Sequence, residues 1–453
     1  MVLEPVVSRI QSIPLILKSI TISIGLIRSD GMMEYIKFAR FFLISLLCFC
    51  FFAGNAFSAE RRKDQFSKDP GYYIAPIPYS LPGVGEGVLI GGAYNNIAGT
   101  HSDVIGFALT GDIEGVGIVS LDNHLISNRL ILDVSAQYLT DAAVRNYNQR
   151  GMLGDENDYS VLNIKDNEFY GLRLTGTWYE RMLELYGGVL SSKTNLAEIR
   201  NKDGQVIQVA NNADDNSSTL YTLGFRFDLT DDYQDPRRGF RYQVSRWWDD
   251  RSGQQTSKFY QTEHNITGYI PIGKRSTIAL NAFKADATVT RLGETDFSTI
   301  ESQQGLNCSD ASLSSSEQLQ CTQVVNNIIA NNTYGSVSSL GGWGRLRSYP
   351  DGRFNGSHLL FLGAEFRWNI TDEFTPFDIW IAKDVRTTIQ LAFFYERGSI
   401  EDIESRVGDV WKESYGIGAR MVTASGLVFR ADVATGDEGT EVSVIIGYPW
   451  ETF

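Results

Sequence analysis

The sequence predicts an all-β protein: a transmembrane antiparallel β-barrel of about 16 strands. Three observations predict it: an export signal near the N-terminus, segments that alternate apolar and polar residues with period two, and charged side chains on the polar faces of those segments.

The export signal occupies the N-terminal region. Basic residues between Lys37 and Arg40 precede the run FFLISLLCFCFFAG, and small residues follow in GNAFSAE. A basic start, an apolar stretch and small residues are the parts that signal peptidase reads. Cleavage is expected after Ala56, Ser58 or Ala59. The competing reading is a spanning helix, but the run is shorter than the roughly 20 residues a span requires. Neither Cys48 nor Cys50 follows the small residue that a lipoprotein signal would place before it. Met32 and Met33 each open a conventional signal, which would leave residues 1–31 upstream of the true start. Residues 1–59 are thus read as an upstream segment plus a removed signal, and residues 60–453 as one barrel domain.

Alternation runs through the remainder. Tyr221, Leu223, Phe225, Phe227 and Leu229 share one face; Thr222, Gly224, Arg226 and Asp228 share the other. Leu360, Leu362, Ala364, Phe366, Trp368 and Ile370 oppose Gly363, Glu365, Arg367 and Asn369. Ile389 to Glu396 and Val442 to Tyr448 alternate in the same way. A soluble β-sandwich also alternates, so the content of the polar face decides. Arg226, Asp228, Glu365, Arg367, Arg430 and Asp432 occupy it, and a charged interior inside an apolar, aromatic-rich exterior is the inversion a membrane barrel requires. Segments suited to strands fall near 72–81, 87–96, 102–112, 115–123, 128–140, 167–178, 183–194, 218–231, 239–249, 257–271, 275–289, 358–370, 385–398, 414–424, 427–434 and 441–448. Short turns such as 179–182, 271–274 and 424–426 alternate with long polar loops at 141–166, 195–217, 290–357 and 399–413.

Composition is consistent with this and narrows function. Aromatics make up 12% of the chain and glycine is frequent, at 43 residues, against 11 prolines; such a mix suits many strands facing two environments. The net charge of −14 excludes nucleic acid as a partner, since no basic surplus is available to neutralise phosphates. The four histidines, His101, His124, His264 and His358, form neither a metal spacing nor a nucleophile–base motif. No enzyme activity, metal or cofactor is therefore expected. Cys308 and Cys321, 13 positions apart in a polar loop, are expected to form a disulfide in an exported chain, the alternative being two free thiols.

Three motifs resemble those of the BamA/TamA-type outer-membrane proteins, the bacterial surface antigen family. Asp235-Pro236-Arg237-Arg238-Gly239-Phe240 resembles that family's mid-barrel periplasmic turn. Gly341-Gly342-Trp343-Gly344-Arg345-Leu346-Arg347-Ser348-Tyr349-Pro350 resembles the glycine-rich tip of its sixth external loop. Phe393-Phe394-Tyr395-Glu396-Arg397-Gly398 resembles the strand that receives the tip arginine. Two departures stand out: Ser348 replaces the usual glycine, and Glu396 stands where aspartate is usual.

The resemblance implies that the 290–357 connection, 68 residues long, folds back into the lumen and that Arg347 meets Glu365 and Glu396 there. A guanidinium buried without anions is very costly, so partners are physically required; the alternative is a solvated loop arginine. The chain ends in an aromatic residue, Phe453, after a segment containing Tyr448. This resembles the signal by which the barrel-assembly machinery recognises its clients. Family members carry periplasmic receptor (POTRA) modules, whereas only about a dozen residues lie here between the cleavage region and Tyr72. The expectation is a barrel in outer-membrane lipid that aids assembly or transport of protein or lipid with a separate periplasmic partner. A porin-like passive channel is the alternative, because sixteen strands enclose a wide interior.

Overall fold

A computed structural model describes residues 70–100, 102–126, 129–210, 216–249, 257–371, 377–379, 382–385, 387–423 and 428–450. The signal segment, Cys48, Cys50, His101 and Phe453 lie outside the described residues.

The strands are β1 (Gly71–Leu81), β2 (Gly85–Asn95), β3 (Asp103–Gly111), β4 (Glu114–Ile126), β5 (Leu130–Tyr147), β6 (Tyr159–Trp178) and β7 (Leu183–Arg200). A short β8 (Val206–Val209) is followed by β9 (Asn216–Asp228), β10 (Gly239–Asp249), β11 (Lys258–Ile272), β12 (Ser276–Arg291) and β13 (His358–Asn369). A small ribbon, β14 (Phe377–Ile379) with β15 (Ala382–Val385), precedes β16 (Thr387–Glu401), β17 (Lys412–Thr423), β18 (Val428–Gly436) and β19 (Gly439–Ile446). Each wall strand pairs antiparallel with the next, and β19 returns to β1, so the sheet closes as a barrel of 16 strands; β8 is an extension beside β7, and β14–β15 is a separate ribbon. Closure satisfies the backbone groups that lipid cannot.

The two faces differ as alternation requires. Outward residues such as Ile90, Ile118, Ile270, Trp368, Phe393 and Ile417 are exposed, whereas Gln243, Asn281, Glu365, Arg367, Glu396 and Asp432 are buried inside. No helix among the described residues is long and apolar enough to cross a membrane.

Two expectations are corrected. The segments 141–166 and 195–217 were expected as loops, yet β5, β6 and β7 run for 18, 20 and 18 residues. At about 3.3 Å per residue they rise some 60 Å, far more than the hydrocarbon core needs. Their upper inner faces are also apolar rather than polar: Leu139, Val144, Leu162, Ile164, Phe169 and Ile199 form a buried cluster. The reason is what packs on them. The long loop contains α1 (Phe297–Gln303) and α2 (Ser315–Tyr334), and Ile300, Leu306, Val324 and Val325 close over that cluster.

Both helices begin at strong caps. The Asp296 side chain accepts from the Thr299 backbone N–H, and Ser314 with Glu317 forms a reciprocal capping box. A disulfide between Cys308 and Cys321 ties the segment between the helices to α2.

Candidate functional site

The loop returns into the barrel as a tight knot. Gly341 donates to the Arg345 carbonyl at 3.0 Å, and Gly342 donates to the Tyr349 carbonyl at 2.8 Å. Both glycines have positive φ, 109° and 80°, and a side chain on Gly341 would collide with the Pro350 carbonyl. Ser348, in place of the usual glycine, is not one of the left-handed residues; Leu346 is, at φ 55°. The tip therefore tolerates serine, whose backbone N–H donates to Ser414 Oγ at 3.0 Å. Tyr349 is buried and donates to the Glu413 carbonyl at 3.1 Å, seating the tip on the β17 wall.

Arg347 projects from this knot into an ion cluster. Its Nε donates to Glu396 Oε1 at 3.0 Å, Nη1 to Asp432 Oδ2 at 2.8 Å, and Nη2 to Glu365 Oε2 at 3.3 Å. Its backbone N–H also donates to Glu396 Oε2 at 3.0 Å, and its guanidinium lies 3.4 Å over the Phe394 ring. Glu365 is further held by Arg420 and by Arg367 at 2.7 Å, and Asp432 by Arg430 at 3.0 Å.

The structure brings Arg347, Glu365 and Glu396 together and adds residues that the motifs did not single out. Asp432 is a third carboxylate, and Arg367, Arg420 and Arg430 are further cations. They come from four adjacent strands, β13, β16, β17 and β18, whose inward positions register side by side. Arg367, Arg430 and Asp432 were visible on polar faces; nothing in the sequence paired them with Arg347.

Asp235 and Pro236 lie in the connection between β9 and β10, and Gly239 opens β10. Gly239 has φ 103°, and a Cβ there would meet the Leu229 carbonyl at 2.1 Å. Asp235 ion-pairs with Arg237 and accepts from the Tyr448 hydroxyl at 2.6 Å.

The placement of Tyr448 corrects the expected last strand. β19 ends at Ile446 rather than 448. From Gly447, at φ 111°, the chain turns into the lumen. Tyr448 is buried beneath Arg367, whose guanidinium lies 4.3 Å from its ring. Trp450 is fully buried: its Nε1 donates to Glu396 Oε1 at 2.7 Å, and its carbonyl accepts from Asn265 Nδ2 at 2.7 Å. Gly363 makes room for it, since a Cβ there would stand 2.7 Å from the indole.

The inward turn leaves a thin seam. β1 and β19 share one paired position, Ser80 with Val444, plus a bond from Ser80 Oγ to the Val442 carbonyl at 3.0 Å. β1 pairs with β2 without a break through Pro76 and Pro78. A proline cannot donate, so the odd-numbered residues must bond to β2 and both ring nitrogens must face β19. Extending the register of Ser80 with Val444 would set Pro78 opposite Ile446 and Pro76 opposite Tyr448. The β1 edge thus lacks donors where the chain leaves the wall.

This fold and its lumen cluster define a transmembrane barrel of the outer-membrane type. Residues 129–309, from the start of β5 into the long loop, match the Omp85 superfamily domain, in agreement with the resemblance drawn from the three motifs. Solved structures with distant similarity include BamA from Haemophilus ducreyi lacking POTRA domains 1-3, at 13% identity over 83% of this chain and 69% of that one, TM-score 0.45. CdiB from Acinetobacter baumannii gives 12% identity over 83% and 60%, TM-score 0.46. CdiB from Escherichia coli gives 12% over 83% and 67%, TM-score 0.46. The chain spans 60% of the length of the Acinetobacter protein. No curated protein matches the sequence.

Proposed function

We propose that this protein works in outer-membrane assembly or in transport of protein or lipid, together with a separate periplasmic partner, and not as a passive channel. The observation that carries this reading is the loop tip held in the lumen by Arg347, with three carboxylates on one guanidinium. A passive channel gains nothing from filling its own bore with a locked knot. The thin, proline-edged seam between β1 and β19 supports the same reading, because it gives the wall one place where it opens at low cost in hydrogen bonds.

Two measurements test it. In planar bilayers the protein is expected to give small or flickering conductance. Site-directed cross-linking from Gln234 on the β9–β10 turn should trap a periplasmic protein. A large, steady open pore together with no adduct would replace this reading with the channel.

A further inference from the structure

At the end of the barrel opposite the long loop, the connections are unequal. Those between β6 and β7 (179–182) and between β11 and β12 (273–275) are short, whereas that between β9 and β10 runs through residues 229–238. This longer turn is stiffened from within. The Asp231 carboxylate accepts from the backbone N–H groups of Arg237 and Arg238, and the Asp232 carboxylate from those of Gln234 and Asp235, each at 2.9 Å. Aspartates that bond their own local backbone in this way fix a turn without help from a ladder, so the segment keeps its shape as one piece.

The turn reaches well-separated parts of the wall. On one side the Tyr233 hydroxyl donates to Glu184 Oε2 of β7 at 3.1 Å and accepts from Arg226. On the other, Asp235 accepts from Tyr448 of the inward C-terminal segment at 2.6 Å, and the Arg237 carbonyl accepts from Thr277 Oγ1 of β12 at 3.5 Å. A segment that touches β7, β12 and the inward tail lies across the mouth. Its deepest fastening is Tyr233, whose ring centre lies 3.8, 5.6 and 5.2 Å from the guanidiniums of Arg181, Arg226 and Arg241. Arg181 is aimed there at a cost. Tyr179, Glu180 and Arg181 are three successive non-glycine residues in the left-handed region, at φ 52°, 58° and 62°. Ion pairs to Asp122 at 3.0 Å and Glu184 at 2.8 Å hold Arg181 in place. Backbone strain persists only where its surroundings over-determine it, and it gathers at elements that switch.

We propose that the β9–β10 turn is a gate on this end of the bore and that Tyr233 is its latch. With Tyr233 seated among the guanidiniums, the turn covers the mouth. With Tyr233 withdrawn, the stiff segment swings as one piece about its base, where Leu229 donates to the Phe240 carbonyl at 2.9 Å, and the lumen opens. The gate stands apart from the Arg347 cluster and does not depend on the function proposed above.

The test uses the whole barrel in neutral detergent micelles with one reporter, Thr267→Cys, on the buried inner face of β11. Cys308 and Cys321 are bonded to each other and stay silent. Modification by a small, charged methanethiosulfonate is followed by mass spectrometry. With Tyr233 intact the reporter should react slowly, at least tenfold slower than a cysteine placed at exposed Lys202. Adding Tyr233→Ala should speed it at least tenfold while heat-modifiable gel migration shows the wall intact. Tyr233→Phe keeps the ring among the guanidiniums and loses the bond to Glu184, so its rate should fall between the two; should the alanine variant fail to fold, this variant decides. A reporter that reacts as fast as the Lys202→Cys control with Tyr233 intact, or equal rates with and without the folded Tyr233 variants, would overturn the proposal.

Discussion

Replacing Arg347 with methionine keeps much of the stem and deletes the charge. Glu365 would retain Arg367 and Arg420, and Asp432 would retain Arg430. Glu396 would keep the indole N–H of Trp450 and the backbone N–H of residue 347 but lose its ion-paired guanidinium, leaving a buried carboxylate without a paired cation. Breaking a buried pair on one side costs about 3–5 kcal/mol, and the loss of the Phe394 stacking contact adds to it. The barrel should therefore unfold at lower urea in micelles, read as loss of the heat-modifiable gel band, by an amount equal to that energy. The companion variant Glu396→Gln removes the stranded charge. The double variant should be less destabilised than the sum of the singles, with a coupling of about 0.5–3 kcal/mol. Unchanged midpoints for Arg347→Met, or strict additivity in the cycle, would refute the reasoning and return Arg347 to the status of a solvated loop residue.

Three other outcomes follow from the described geometry. Pro78→Val should lengthen the β1–β19 ladder by a hydrogen bond worth about 0.5–1.5 kcal/mol, seen as slowed amide exchange at Ser80 and Ile446; unaltered exchange would contradict the assigned edge. Cys308→Ser should expose the α1–α2 segment to protease at moderate temperature while leaving the wall intact, because the bridge closes a local loop, a link worth roughly 2–4 kcal/mol in general. Hydrogen bonds from Ser314, through its side chain first and its backbone second, hold the Glu317 carboxyl below the usual carboxylate range. Its contribution is thus complete above the unfolded carboxylate pKa and is lost as pH falls through the folded value, so α2 should fray at its N-terminus only in acid. Glu317→Gln should remove that acid-dependent step from the exchange profile of the α2 amides.

The barrel was legible because lipid and lumen impose opposite chemistry on alternate residues. Arg226 beside Phe225, or Glu365 beside Phe366, states both environments within two positions. The pairing of Arg347 with Glu365 and Glu396 came from motif resemblance, and physics alone required only that it find anions. Asp432 and Arg420 escaped because the infolding of the loop, not sequence proximity, brings Arg347 to them across 85 and 73 positions. The helices were hidden by polarity: α2 is rich in Ser, Gln and Asn and buries only Cys321, Val324, Val325 and Asn332. Its capping box, Ser314 with Glu317, was the one local signal available. The overlong strands β5–β7 were missed because residues beyond the membrane belt no longer have to alternate against lipid.

The inward turn after Ile446 also constrains how such a chain reaches its native state. Trp450 meets Asn265 and Tyr448 meets Asp235 across separations of 185 and 213 residues. Glu396 clasps both the indole of Trp450 and the guanidinium of Arg347. The last residues and the loop tip consequently lock one another from opposite ends of the bore. A wall built strand by strand in chain order would have every ladder in place and still lack this mutual clasp, whose large loop-closure cost falls due only at the finish. Maturation should then end in a discrete late step, in which a complete but hollow cylinder becomes a filled one.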